Sequence, residues 1–192
     1  AAGAVGRRLV APDIVCLSNK RLCVRVNGQD TIPALVDVCI TTDTQTGTRA
    51  LWRSDRLRKL FLTFAEPGQV GLSSIGSLIS PTTREDNNGL VIDIDPTAKQ
   101  FRKLMAPIAP GLFEPVAITN YEPISINQKC VLDNSVGTLA YDGEREVTVF
   151  SGDRIEIALD RRGPRTIDMT KTIENIAHSG LLINDDTLQS GR

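Results

Sequence analysis

At 192 residues the chain is long enough to bury a core without covalent staples, and its 22 basic and 23 acidic side chains leave a formal charge of −1. That balance supplies no field to draw in nucleic acid or an anionic membrane surface. One histidine and four cysteines without C-x-x-C spacing provide no ligand set for a zinc site.

No apolar run reaches the length of a membrane span, and the N-terminal stretch carries no signal-peptide pattern. Cys16, Cys23, Cys39 and Cys130 are scattered in apolar surroundings and read as reduced core residues of a cytoplasmic protein. The chain opens Ala1-Ala2-Gly3 without an initiator methionine, and is expected to be the second half of a longer protein.

In chain order the pattern predicts mostly strands. Residues 9–17 and 21–26 form two β-type segments around Ser18-Asn19-Lys20, and Asn27-Gly28 signals a hairpin turn. Residues 34–41 are a near-continuous apolar run with Asp37 inside, the mark of a buried strand bearing one functional or edge-facing carboxylate. A turn is expected at 44–48, strands at 50–52 and 57–64, and a type II turn at Glu66-Pro67-Gly68-Gln69. Residues 70–79 (VGLSSIGSLI) read as a flexible glycine-serine segment, and 81–89 as a polar loop.

Residues 90–94 form a strand ending in Asp93-Ile94-Asp95-Pro96, 101–108 are ambiguous, and Pro107 to Gly111 bound a turn. Short strands follow at 116–119 and 124–126. Residues 137–159 write two hairpins back to back, with turns at Asp142-Gly143 and Ser151-Gly152-Asp153. Val147 and Val149 alternate with Glu146 and Thr148, and Ile155, Ile157 and Leu159 mark one strand face. Only residues 166–180 read as helix, with Ile167, Ile173, Ile176 and Ala177 on one side and Gly180 as the stop. The fold class is therefore mainly β: a β-sandwich over residues 1–160, with a helical tail (161–192) packing on the same domain.

Two features point to chemistry. Three glycines and three serines within residues 68–77 let backbone approach a ligand and aim N–H and O–H donors at an anion, although a β-bulge or close strand crossing has the same composition. Asp37 and the loop acids Glu85, Asp86, Asp93 and Asp95 offer acceptors for ribose hydroxyls or a metal ion, and the loop acids equally suit turns. His178 is placed as a helix C-terminal cation, residues 161–165 as a basic turn, and Trp52 and Tyr121 as packing residues.

The order ALVDVCI, a Pro-Gly turn with VGLSSIGSLISP, KLMAPIAPGLFEPVAI and LAYDGEREVTVFSGDRIEIAL resembles the C-terminal half of the ATP-NAD kinase family. The likeness is to its AcoX-like branch, associated with acetoin catabolism, and it covers roughly residues 32–159. The family's Asn-Glu dipeptide, which contacts the dinucleotide, corresponds to Val36-Asp37. Its ligand-wrapping loop corresponds to Gly71, Ser73, Ser74, Gly76 and Ser77, with Ser80-Pro81 where a tyrosine usually follows. The Asp-Gly hairpin turn is kept as Asp142-Gly143.

The resemblance implies the nucleotide-side half of a kinase-like protein, one wall of a substrate cleft that takes NAD or another nucleotide. It also implies contacts of a homo-oligomer, and no catalysis by this half alone. The family's Gly-Gly-Asp-Gly turn, which serves ATP and Mg2+, belongs to a separate N-terminal domain and has no counterpart in this sequence. An assembly or regulatory module with no small-molecule site is the alternative, and a lipid or sphingoid kinase relative a third.

Overall fold

Asn27 (φ 53°) with Gly28 (φ 79°), and Asp142 (φ 51°) with Gly143 (φ 70°), supply paired left-handed residues at two hairpin turns. This is the type I′ geometry that matches the twist of the flanking strands. The computed structural model describes residues 14–31, 33–42, 53–133 and 136–180, so Trp52 and the turn expected at 44–48 lie outside the described residues. The chain divides into two compact units, residues 19–163 and the combination of 1–18 with 164–192.

The strands are β1 (Cys16–Ser18), β2 (Arg21–Val26), β3 (Gln29–Asp30), β4 (Asp37–Thr41), β5 (Leu57–Leu62), β6 (Asn88–Ile94) and β7 (Arg102–Ala109). They continue as β8 (Leu112–Ser125), β9 (Lys129–Asp133), β10 (Gly137–Tyr141), β11 (Arg145–Val149), β12 (Arg154–Asp160) and β13 (Arg165–Ile167). Helix α1 spans Leu72–Ile79 and α2 spans Met169–His178.

In residues 19–163 a seven-stranded sheet runs β11-β10-β4-β5-β6-β8-β7 and a four-stranded sheet runs β3-β2-β12-β9. Every neighbouring pair is antiparallel. Leu22, Val24, Ile155, Ile157 and Leu159 of the small sheet interdigitate with Val38, Ile40, Phe61, Val91 and Leu139 of the large one. The three isoleucine and leucine positions of β12 are fully buried, as their alternation predicts. The other face of the large sheet is covered by α1, whose Leu72 and Ile75 pack with Leu60, Leu62, Leu90 and Ile92.

Two expectations change. Residues 72–79 are not a loop: Leu72, Ile75 and Ile79 form a helical stripe, and Gly76 lets that stripe close onto the sheet. The segments at 116–119 and 124–126 belong to one strand of 14 residues. Its first half pairs with β7 and its second with β6, so Pro115 and Pro123 each sit where one side of the strand needs no ladder donor. The ambiguous stretch near 101–108 is β7.

In the unit formed by residues 1–18 and 164–192, β1 pairs with β13 in an antiparallel register. Helix α2 starts later than the pattern suggested, because Asp168 caps it by accepting from the Lys171 N–H at 2.9 Å. The Thr172 hydroxyl accepts from the Val15 N–H at 3.1 Å, and Ile176 is buried. His178 lies in the last turn, where a cation suits the helix dipole.

Candidate functional site

Strand β4 is buried along its whole length because β10 and β5 flank it and both of its faces are covered. Side-chain alternation sends Val38 and Ile40 into the sandwich and Cys39 toward α1. Asp37, two residues from Cys39, opens the strand on that same α1 side. It is 8% exposed, and its Oδ1 has no hydrogen-bond partner among the described residues. Burial first, and then the Asp142 carboxylate nearby, push the Asp37 carboxyl up to about 7. The Cys39 thiol, fully buried and close to Asp37, is pushed far above its ordinary range.

Helix α1 begins after Gly71, whose φ of 102° only glycine adopts readily. No side chain caps this N-terminus. The Gly71 N–H donates to the Pro107 carbonyl at 3.0 Å, which ties the helix start to β7. Ser73 and Ser74 are buried. The Ser74 hydroxyl donates to the Gly71 carbonyl at 2.7 Å and to the Pro107 carbonyl at 3.2 Å. The Ser77 hydroxyl donates to the Ser74 carbonyl at 3.0 Å. Gly76 presses on the sheet, and a Cβ there would lie 2.4 Å from Leu62 Cδ1 and 2.8 Å from Ala65 Cβ.

Of the residues predicted for the site, Asp37 and the segment 71–77 therefore share one sheet face. Leu62 links them, pairing with Asp37 across the sheet and lying beneath Gly76. The hydroxyls of Ser74 and Ser77 are committed to backbone carbonyls of the helix and of β7, and Gly76 serves packing, so the segment expected as a ligand-wrapping loop of N–H and O–H donors is a helix start. The loop acids lie elsewhere. Asp93 pairs with Lys59, whose cross-strand neighbour Ile40 faces the sandwich. Asp95 accepts from Thr97, and Asp86 from the Thr83 N–H. The basic turn is also engaged: Arg161 donates to the carbonyl of Asp86 at 2.8 Å, and Arg162 pairs with Asp160.

The sequence reading missed what surrounds Asp37. The Asp142 Oδ1 accepts from the N–H of Val36 at 2.8 Å, Leu35 at 3.0 Å and Asp37 at 3.2 Å. Its Oδ2 accepts from Arg145 Nη2 at 2.8 Å. Thr63 donates its hydroxyl to the Leu35 carbonyl at 2.8 Å and its N–H to the Val36 carbonyl at 2.9 Å. The aspartate in place of asparagine at a left-handed turn position, with arginine three residues on, was the available signal.

A separate cavity of about 440 Å3 lies on the outward side of the four-stranded sheet. Its charges are mutually paired: Arg21 and Arg162 share Asp160, while Arg25 and Lys129 share Glu156. No cluster of three or more potential metal ligands occurs among the described residues. No described helix is long and apolar enough to cross a membrane.

Residues 20–162 match the family of the acetoin catabolism protein X C-terminal domain. The chain belongs to that family. It is similar to acetoin catabolism protein X of Cupriavidus necator, 32% identical over 183 residues that make up 93% of this chain and 50% of the relative. The fold is similar to that of yeast NADH kinase, solved in complex with NADH, with a TM-score of 0.50 and 14% identity. That likeness covers 100% of this chain and 55% of the kinase chain. The chain thus spans about half the length of each. Among the described residues it is mainly β, and its fold is similar to that of the yeast kinase.

Proposed function

We propose that this domain is the nucleotide-side half of an NAD-kinase-like protein, forming one wall of a cleft that takes NAD or a related nucleotide. The observation that carries this reading is the Asp37 carboxyl, buried yet with Oδ1 unpartnered among the described residues, on the sheet face covered by α1. A buried acceptor without a donor carries a desolvation cost of roughly 1–3 kcal/mol that a ligand hydroxyl would relieve. In this reading a ribose hydroxyl donates to Asp37, and a phosphate meets the uncapped amides at the start of α1. The solved relative with NADH bound supports a dinucleotide over other ligands.

Phosphoryl transfer from ATP with Mg2+ is assigned to a partner domain, because positioning a triphosphate and its metal is most of that chemistry. Self-association belongs to the same reading. Met105, Pro107, Phe113 and Pro115 share one side of the β7–β8 hairpin by register, and Met105 and Phe113 are more than half exposed. Sedimentation velocity on wild type and Phe113→Glu tests it, and a monomeric wild type overturns it.

The test of the site is a thermal-shift titration with NAD, NADP and ATP on wild type and Asp37→Ala. A micromolar site at millimolar ligand stabilises by RT ln(1 + [L]/Kd), about 4 kcal/mol. That shift is expected in wild type and lost in the variant. No shift with any nucleotide favours the second reading, an assembly module, for which the internally committed hydroxyls of Ser74 and Ser77 speak.

A further inference from the structure

The approach to Asp37 is held from two sides. Leu35 and Val36 precede β4, so their amides have no ladder partners of their own. Asp142 takes the amides of Leu35, Val36 and Asp37, and returns its own N–H to the Asp37 carbonyl at 3.0 Å. Arg145 closes the arrangement by bonding Asp142 Oδ2 and, at 3.2 Å, the Pro33 carbonyl. Thr63 secures the carbonyls of Leu35 and Val36 from β5's end. The backbone around Asp37 is therefore fully tied, while its carboxyl Oδ1 is left without a partner among the described residues.

We propose that Asp142, held by Arg145, is the positioning residue of the candidate site: it fixes the backbone that presents the Asp37 carboxyl. This rests on the reading of Asp37 as the ligand-facing acceptor. A group that is rigid before binding has less conformational freedom to lose on binding, which is the physical value of such a clamp. Asp142 adopts φ 51°, a conformation tolerated by Asp and Asn but strained for most residues. A simple turn at this position would need no carboxylate.

Asp142 also acts through charge. Its carboxylate opposes ionisation of Asp37, whereas Cys39 on the same strand stays protonated, and α1 and the paired end of β5 bring no titratable group to this face. Arg145 is spent on Asp142 itself.

The test uses Asp142→Asn, which keeps the left-handed turn and one acceptor oxygen but removes the charge, beside Asp142→Ala and Arg145→Gln. Two readouts need no ligand: titration of the Asp37 carboxyl carbon by NMR, and hydrogen exchange of the amides at 35–37. The expected results are a fall of about one pH unit in the Asp37 midpoint for Asp142→Asn, and about tenfold faster exchange at 35–37 for Asp142→Ala. For NAD, affinity is expected to drop about tenfold in Asp142→Ala, which loses the clamp and must order residues 35–37 on binding.

If wild type binds no nucleotide, the ligand reading of Asp37 fails, and titration and exchange alone decide the role of Asp142. An unchanged Asp37 midpoint with unchanged exchange in Asp142→Asn and Arg145→Gln overturns the proposal, even if Asp142→Ala fails to fold.

Discussion

Leu62 Cδ1 lies 2.4 Å from the point where Gly76 would carry a Cβ, closer than real side-chain atoms approach. Helix α1 therefore sits on the sheet at a distance that only glycine permits. Ala65 Cβ at 2.8 Å and Leu90 Cδ2 at 3.1 Å close the remaining directions. Gly76→Ala gains about 1 kcal/mol of intrinsic helix propensity. Lifting α1 off Leu62 and Ala65 costs roughly 1–3 kcal/mol, so the net effect expected is destabilisation. Urea unfolding checks it, and a variant as stable as wild type means the helix moves without penalty.

The Asp37 carboxyl makes a pH-dependent contribution whose sign follows from its raised midpoint. Its midpoint is about 7 in the folded chain, against an ordinary 3.8 when unfolded. Between those values the folded chain holds a proton that the unfolded chain has released. Stability from this group is thus fully present below pH 4 and is lost as pH rises to about 7. Asp37→Asn removes the ionisable group, so it is expected to match wild type near pH 4 and exceed it by about 4 kcal/mol at pH 8. Denaturant melts at the two pH values decide the matter, and a pH-independent difference contradicts the raised midpoint.

Much of this architecture was legible because its signals are local. Asn27-Gly28 and Asp142-Gly143 dictate their turns through φ alone, and Ile155, Ile157 and Leu159 declare a face through period 2. Helix α1 was hidden because its eight residues hold Gly76 and three serines, a composition that reads as loop. Only the tertiary fit of Gly76 over Leu62 explains why a poor helix former stands there. The candidate site was half legible. Asp37 announced itself as a charge in an apolar run, but its clamp joins residues 35–37 to Asp142 across more than a hundred positions, which no local pattern encodes.

Asp160 organises one end of the four-stranded sheet. Its Oδ1 accepts from Arg21 Nε and the Arg162 N–H, each at 2.8 Å, and its Oδ2 from Arg162 Nε at 2.7 Å and the Cys23 thiol at 3.2 Å. Burial pushes this carboxyl up, but the hydrogen bonds from Arg21 and Arg162 outweigh it and hold it far below the usual carboxylate range. Its stabilisation is then present above pH 4 and lost as pH falls through the lowered midpoint. Asp160→Asn is expected to cost about 2–3 kcal/mol at pH 7. The gap should narrow in melts taken toward pH 2, and a constant gap shows that charge is not the source.

Lys20 is 2% exposed, and its ammonium donates to the carbonyls of Thr83 at 2.7 Å and Asn88 at 2.6 Å. Arg161 binds the intervening carbonyls and Asn87 Oδ1, so the loop at 83–88 is folded around two cations. Lys20→Met keeps the apolar stem and leaves two carbonyls without donors, at an expected cost of about 2–3 kcal/mol. Hydrogen exchange should quicken first at 83–87, ahead of β6 that follows. Burial, and secondarily Arg161, lower the folded Lys20 midpoint to about 8 from 10.5. Between those values the unfolded chain holds the extra proton, so wild-type stability rises with pH relative to Lys20→Met. A difference between the two that stays flat from pH 7.5 to 10 refutes the buried ammonium, whatever the exchange data show.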